Sequence, residues 1–204
     1  MQPQFRIVLA SASERRKTLL ARMGLTFDVM PADVDETIPD CMPPEQVAES
    51  LARLKAETIA EMLHNRKPSG DSRPTLIIGA DTVVAFEHEV IGKPEDRAHA
   101  VRILRRLRNT SQRVITGVCL INSLTGKTTV DHETSIVTMA DLSDEQIDNY
   151  VASGRADDKA GAYAVQEDCD PHVLSIEGSF DNVVGLPTEL LDRLIKNSGV
   201  RLLR

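Results

Sequence analysis

Asp81 stands inside the run LIIGADTVVAF, with apolar residues on both sides. A carboxylate placed in a buried strand is strongly disfavoured or takes up a proton, so Asp81 needs a cation, a donor cluster or a metal beside it. Gly79, two residues earlier, lets a backbone or a ligand come close. Lys55 is a second residue out of place. At about 100° per residue it falls within or beside an apolar stripe of Val47, Leu51, Leu54, Ile59 and Met62, where an ammonium either snorkels outward or projects into a cleft. The third anomaly is LASASERR at 9–16, which sets Arg15 and Arg16 at the start of a helix, the end where positive charge is least favourable. With Ser13 as N-cap, the free amides of that turn and the two guanidinium groups suit an anion, phosphate above all. The plainer alternative is that both arginines point into water beside Glu14.

Other signals are weaker singly. Lys93 in IGKPED and Lys159 in DKAGAY sit in glycine-bearing loops that can approach phosphate closely, although surface turns often contain lysine. DVDE offers Asp33, Asp35 and Glu36, enough oxygen for Mg²⁺ if a second element contributes, or else a solvated acidic turn. Ser11 and Ser13 lack a GxSxG elbow, the five histidines are scattered, and neither GxGxxG nor a Walker loop occurs. What remains is a set of cations and carboxylates suited to hydrolysing a nucleotide phosphoanhydride with metal help.

The elements that must position these groups follow from pattern. FRIVLA (5–10) reads as a buried strand and 14–23 as the helix after it, ended by Gly24. LTFDVMPADVDE holds a second strand running into an acidic loop, and 43–67 is a long helix opened by proline. TLIIGADTVVAFE is a strand by its β-branched residues, EVIGKPED is turn-like, and AHAVRILRRLR is an amphipathic helix. Two strand-like runs within 113–140 surround a turn at 124–127 and predict a long hairpin. A short helix capped by Ser143, a strand HVLSIEG, a turn at VVGLP and a final helix TELLDRLIKN complete the chain. A hairpin interrupting strand–helix alternation predicts an α/β fold with a mixed central sheet flanked by helices.

At 204 residues, 41% of them hydrophobic and 27% charged, the chain reads as one domain over 1–204. A net charge of −7 without a basic run argues against nucleic acid polymers as partners, while leaving room for a phosphorylated small molecule in a locally cationic cleft. Cys41, Cys119 and Cys169 are odd in number and far apart, which fits a reducing cytoplasm, and neither a signal peptide nor a membrane span is expected.

The order of LASASERR, DVDE, LARLKA, IGADTVV, IGKP, SGRADDKAGAYAVQ and NVVGLP, from about Leu9 to the final helix, resembles the Maf family of nucleotide pyrophosphatases. The resemblance implies an elongated, two-lobed fold similar to inosine triphosphate pyrophosphatases. It implies hydrolysis of a nucleoside triphosphate to the monophosphate and pyrophosphate with a divalent metal, Mg²⁺ or Mn²⁺. Asp81 matches the family's proton acceptor and, with Glu36, a metal site. Ser13, Arg16, Lys55 and Lys93 match phosphate-handling positions, and Ser11 and Lys159 lie in the same motifs as further substrate-binding residues. Arg15, Thr82 and Gln166 match the positions that select the base, in a combination similar to the branch acting on dTTP and UTP rather than 7-methyl-GTP. Glu14 stands where proline is usual, and Glu167-Asp168 follow Gln166 where glycine is usual. A pyrophosphatase for modified or purine nucleotides, or a nucleotide-binding regulator of cell division, are the alternatives. A homodimer is implied by the family alone.

Overall fold

The structure, a computed structural model, describes residues 4–37, 42–65, 73–157, 159–165 and 172–200. Its elements are β1 (Arg6–Leu9), α1 (Glu14–Arg22), β2 (Asp28–Val29), α2 (Pro44–Asn65), β3 (Thr75–Phe86), β4 (Glu89–Ile91) and α3 (Arg97–Leu107). They continue with β5 (Ser111–Asn122), β6 (Thr128–Met139), α4 (Asp144–Ala152), a 3-10 turn at Ala160–Ala162, β7 (Val173–Glu177), α5 (Phe180–Val184) and α6 (Thr188–Asn197). The seven strands form one mixed sheet in the order β2-β1-β3-β5-β6-β7, with β4 also on β3. β1 runs parallel to β2 and β3, and the other pairs are antiparallel.

The long hairpin of β5 and β6 turns at 123–127 as the pattern predicts. Three expectations need correction. EVIGKPED is not all turn: Glu89–Ile91 pair with Val84–Phe86, because Glu87 adopts φ 55° and lets the chain reverse in two residues. The second strand shrinks to Asp28–Val29, since only these residues lie in register with β1. Leu54 and Met62 do not belong to the buried stripe of α2, being 39% and 42% exposed. The face that meets the sheet is instead Val47, Ala48, Leu51, Ala52, Lys55, Ala56 and Ile59.

Three alanines of that face explain the rotation, because they let α2 approach two strand glycines. A Cβ on Gly79 would stand 2.9 Å from the Ala56 Cβ, and one on Gly117 would stand 2.7 Å from the Glu49 nitrogen. Only hydrogen fits between helix and sheet there.

The opposite face carries two apolar clusters. One packs Ile78, Ala80 and Leu120 under α1 and α6, and the other packs Val84, Val114 and Val137 under α3 and α4. Along β3 and β5 the division between them falls at Thr82 and Thr116, which are register partners.

The edge of β3 is divided at the same level. β1 covers it through Ile78 and β4 covers it from Val84, so Gly79 to Val83 meet a described strand only on the β5 side. Residues 81 and 82 therefore stand in a notch at the carboxyl end of β1, the place where open α/β sheets bind ligands.

No described helix is long and apolar enough to cross a membrane. Cys119 is buried in β5, and burial pushes its thiol up to about 12. A thiol held protonated is a poor nucleophile. Alkylation of the folded protein followed by peptide mapping is expected to leave Cys119 unlabelled until denaturant is added.

Candidate active site

The notch opens into a cleft of about 670 Å³. One wall is the start of α1. Ser13 caps that helix, its Oγ accepting from the Arg16 nitrogen at 3.5 Å, and the arginines are thereby set on the cleft side of the first turn. Arg16 reaches from α1 to β3 and to the end of α5. Its Nε donates to the Gly185 carbonyl at 2.8 Å, Nη1 to Ser11 Oγ at 3.3 Å and Nη2 to Thr82 Oγ1 at 3.0 Å. Three of its five N–H groups are used in this way, and two remain to meet an anion. Burial pushes its guanidinium below the ordinary value, and Asp81 pulls it back.

Asp81 and Lys55, each 8% exposed, are joined by an ion pair on the α2 side of the sheet. Lys55 also lies 2.7 Å from Glu36 Oε1, and Lys93 stands 3.8 Å from Glu36 Oε2. Burial pushes the Glu36 carboxyl up, but the bond and charge of Lys55, with Lys93 and Arg16, outweigh it and hold the group below its ordinary value. The ammonium of Lys55 is thus the compensating partner that a buried Asp81 requires.

Lys159 borders the cleft beside the 3-10 turn. Gly161 N donates to the Gly92 carbonyl at 3.1 Å, so the loops bearing Lys159 and Lys93 are tied together. Beyond Thr82 the lining turns apolar, with Val84, Val114, Tyr163, Val165 and Val183. Arg15, Arg16, Lys55 and Lys93 gather about Asp81 and Glu36 and form a cationic end, while Lys159 stands nearer the valines.

Of the residues singled out by sequence, Ser13, Arg15, Arg16, Glu36 and Lys55 line this one cleft, as do Asp81, Thr82, Lys93 and Lys159. Ser11 is not on its wall: the hydroxyl is buried behind it, accepting from Ser13 N at 3.2 Å and from Arg16. Gln166, Glu167 and Asp168 lie outside the described residues. Within DVDE only Glu36 lines the cleft, and Asp35 is turned to Thr37, accepting from its N at 3.0 Å. Thr116, Asn182 and Tyr163 escaped the sequence reading. A threonine in VITGV and an asparagine just before VVGLP are ordinary, and nothing in the local pattern marks them.

Glu36 and Asp81 both contact the Lys55 ammonium, which brings the two carboxylates side by side at the cleft and leaves one oxygen of each off that ammonium. Mg²⁺ is typically held by one or two carboxylates together with phosphate and water, and the pair fits that demand. A separate group, Glu49, Asp131 and His132, brings ligand atoms within 4.8 Å of one another and could hold a metal. Its members already have partners: His132 Nδ1 meets Glu49 Oε1 at 2.7 Å, and Asp131 accepts from His132 N at 2.9 Å and lies 3.9 Å from Arg193.

The profile of the family described as Maf-like protein matches residues 6–198. The chain is 43% identical over 197 residues to the dTTP/UTP pyrophosphatase of Pelotomaculum thermopropionicum, covering 97% of this chain and 98% of that one. It is 39% identical to the dTTP/UTP pyrophosphatase of Caldicellulosiruptor saccharolyticus, with 98% of each chain covered. Identity to the protein of the same name from Salinibacter ruber is 40%, over 97% of this chain and 93% of that one. A cationic cleft around a buried aspartate and a profile match over nearly the whole length lead to one conclusion: the chain belongs to the Maf family.

Proposed function

We propose that this protein hydrolyses dTTP and UTP to the monophosphate and pyrophosphate. The observation that carries this reading is the cleft itself, in which Arg15, Arg16, Lys55, Lys93 and Lys159 surround one buried carboxylate, Asp81, in a chain of net charge −7. Relatives named dTTP/UTP pyrophosphatases at 39–43% identity supply the nucleotide.

In this reading the triphosphate lies at the cationic end and the base on the valines. Lys55 engages one oxygen of Asp81 and leaves the other to orient a water and take its proton as the water oxygen attacks the α-phosphorus. The bond from the α-phosphorus to its bridging oxygen breaks, and pyrophosphate departs carrying that oxygen. Arg16, Lys93 and Lys159 offset the charge growing on the leaving group, and Arg16, fixed by three hydrogen bonds, needs little reorganisation to do so. Glu36 and Asp81 would hold a divalent cation, which when bound supplies further charge neutralisation at the phosphates.

The test is pyrophosphate release from dTTP, UTP, CTP, GTP and 7-methyl-GTP with Mg²⁺ or Mn²⁺. Selective turnover of dTTP and UTP is expected. Turnover of 7-methyl-GTP in their place would discard the base assignment, and nucleotide binding without pyrophosphate would discard hydrolysis.

A further inference from the structure

Thr116 is fully buried, on β5, and touches the cleft only through its neighbours. Its Oγ1 stands 3.0 Å from the Asn182 carbonyl and 3.0 Å from Thr82 Oγ1, which in turn accepts from Arg16 Nη2. The proton positions follow by elimination. A carbonyl can only accept, so the single hydroxyl proton of Thr116 goes to Asn182. Thr116 Oγ1 must then accept at its other contact, and the single proton of Thr82 is used there. Thr82 is left presenting a lone pair, and no proton, to the cleft.

We propose that Thr116 is a positioning residue for base selection, acting through Thr82 by fixing the direction of its hydroxyl. This rests on the reading of the cleft as a pyrimidine nucleotide site. Thr82 joins Arg16 to Val84, two residues on along the same strand face, and in that reading it stands where the phosphate-binding cations give way to the valines that meet the base. Phosphate oxygens offer no proton to a lone pair. Uracil and thymine carry an N–H at N3 that can meet it, whereas cytosine has an acceptor there and would oppose lone pair to lone pair. A site with buried, committed polar groups rejects the analogue that lacks the matching group. The chain runs from Arg16 through Thr82 and Thr116 to Asn182, and Asn182 is itself fixed by its amide, which donates to the Val114 carbonyl and to Ser135 Oγ at 2.9 Å each. Rotation of any single hydroxyl is therefore opposed by the next bond.

The experiment measures affinities of the whole protein for α,β-imido-UTP and α,β-imido-CTP by calorimetry, for the wild type, Thr116→Val and Thr116→Ser. Thr116→Ala serves in place of the valine variant if the latter does not fold. The wild type is expected to favour the uracil nucleotide, Thr116→Val to shrink that preference by about tenfold because the Thr82 hydroxyl is freed to turn and donate, and Thr116→Ser to preserve it within about twofold. Equal binding of both analogues by the wild type, or a proportional loss for both in Thr116→Val, would overturn the proposal and leave Thr116 a packing residue. Pyrophosphate release from UTP by the wild type is read separately. Its failure alongside the expected affinity pattern removes the hydrolytic reading and keeps this one, and its success beside an unmoved ratio does the reverse.

Discussion

Asp81→Asn is expected to slow pyrophosphate release from UTP by about a thousandfold while leaving the affinity for α,β-imido-UTP within a few-fold of wild type. The amide has nearly the shape of the carboxylate but cannot take a proton from water. The folded state should tolerate the change, because Lys55 would keep a second carboxylate, Glu36, at 2.7 Å. An uncompensated buried ammonium, the usual reason that breaking a buried pair is so costly, is thereby avoided. Rates from a single-turnover experiment, set beside a thermal melt of both proteins, separate the two effects. Full activity in Asp81→Asn would mean that another group takes the proton, and a collapsed melting temperature would mean that Asp81 serves the fold before the reaction.

Gly117→Ala carries the second large effect, and it falls on stability first. Its Cβ would stand on the Ala48 carbonyl and 2.7 Å from the Glu49 nitrogen, and these are backbone atoms of α2 that cannot turn aside like a side chain. The helix has to move, at a cost of about 3 kcal/mol, or roughly 10 °C in melting temperature for a chain of this size. Gly117 is the register partner of Asp81. A helix lifted at that point withdraws Lys55 from Asp81, so activity should fall further than the folded fraction does at a temperature where the variant is still native. Gly92→Ala provides the comparison, since a Cβ there meets nothing within 4 Å. Its melting temperature should match the wild type. A Gly117→Ala variant as stable as that one would show that the approach of α2 to the sheet is looser than described.

These expectations depend on features that differ in how far the sequence discloses them. Asp81, Lys55 and the paired arginines were legible because each contradicts its surroundings: a charge in an apolar run, an ammonium on a buried helix face, cations at a positive helix end. Such conflicts need no knowledge of the fold. The strand and helix order was legible for a similar reason, since long periodic segments declare themselves. Thr116 was not, because its significance arises only when β3 and β5 pair in the register that sets it opposite Thr82. The short β4 was hidden as well, its three residues being too few to show a period. Leu54 and Met62 misled because a period of 3.6 fixes the width of an apolar stripe but not which small residues the opposing sheet will demand. Two glycines on different strands decided that rotation.

The gap along β3 between β1 and β4 has a further consequence for how the protein behaves in a crowded solution. A strand edge without a partner is a template on which another chain can zip, and proteins usually blunt it with charge, proline or a bulge. Here the uncovered stretch spans only Gly79 to Val83, and the rest of that edge is occupied on either side. A strand from a neighbouring molecule would collide with β1 or β4 before gaining more than a bond or two. The gap can therefore serve as a mouth for a ligand at the centre of the sheet without itself becoming a seam along which copies could aggregate.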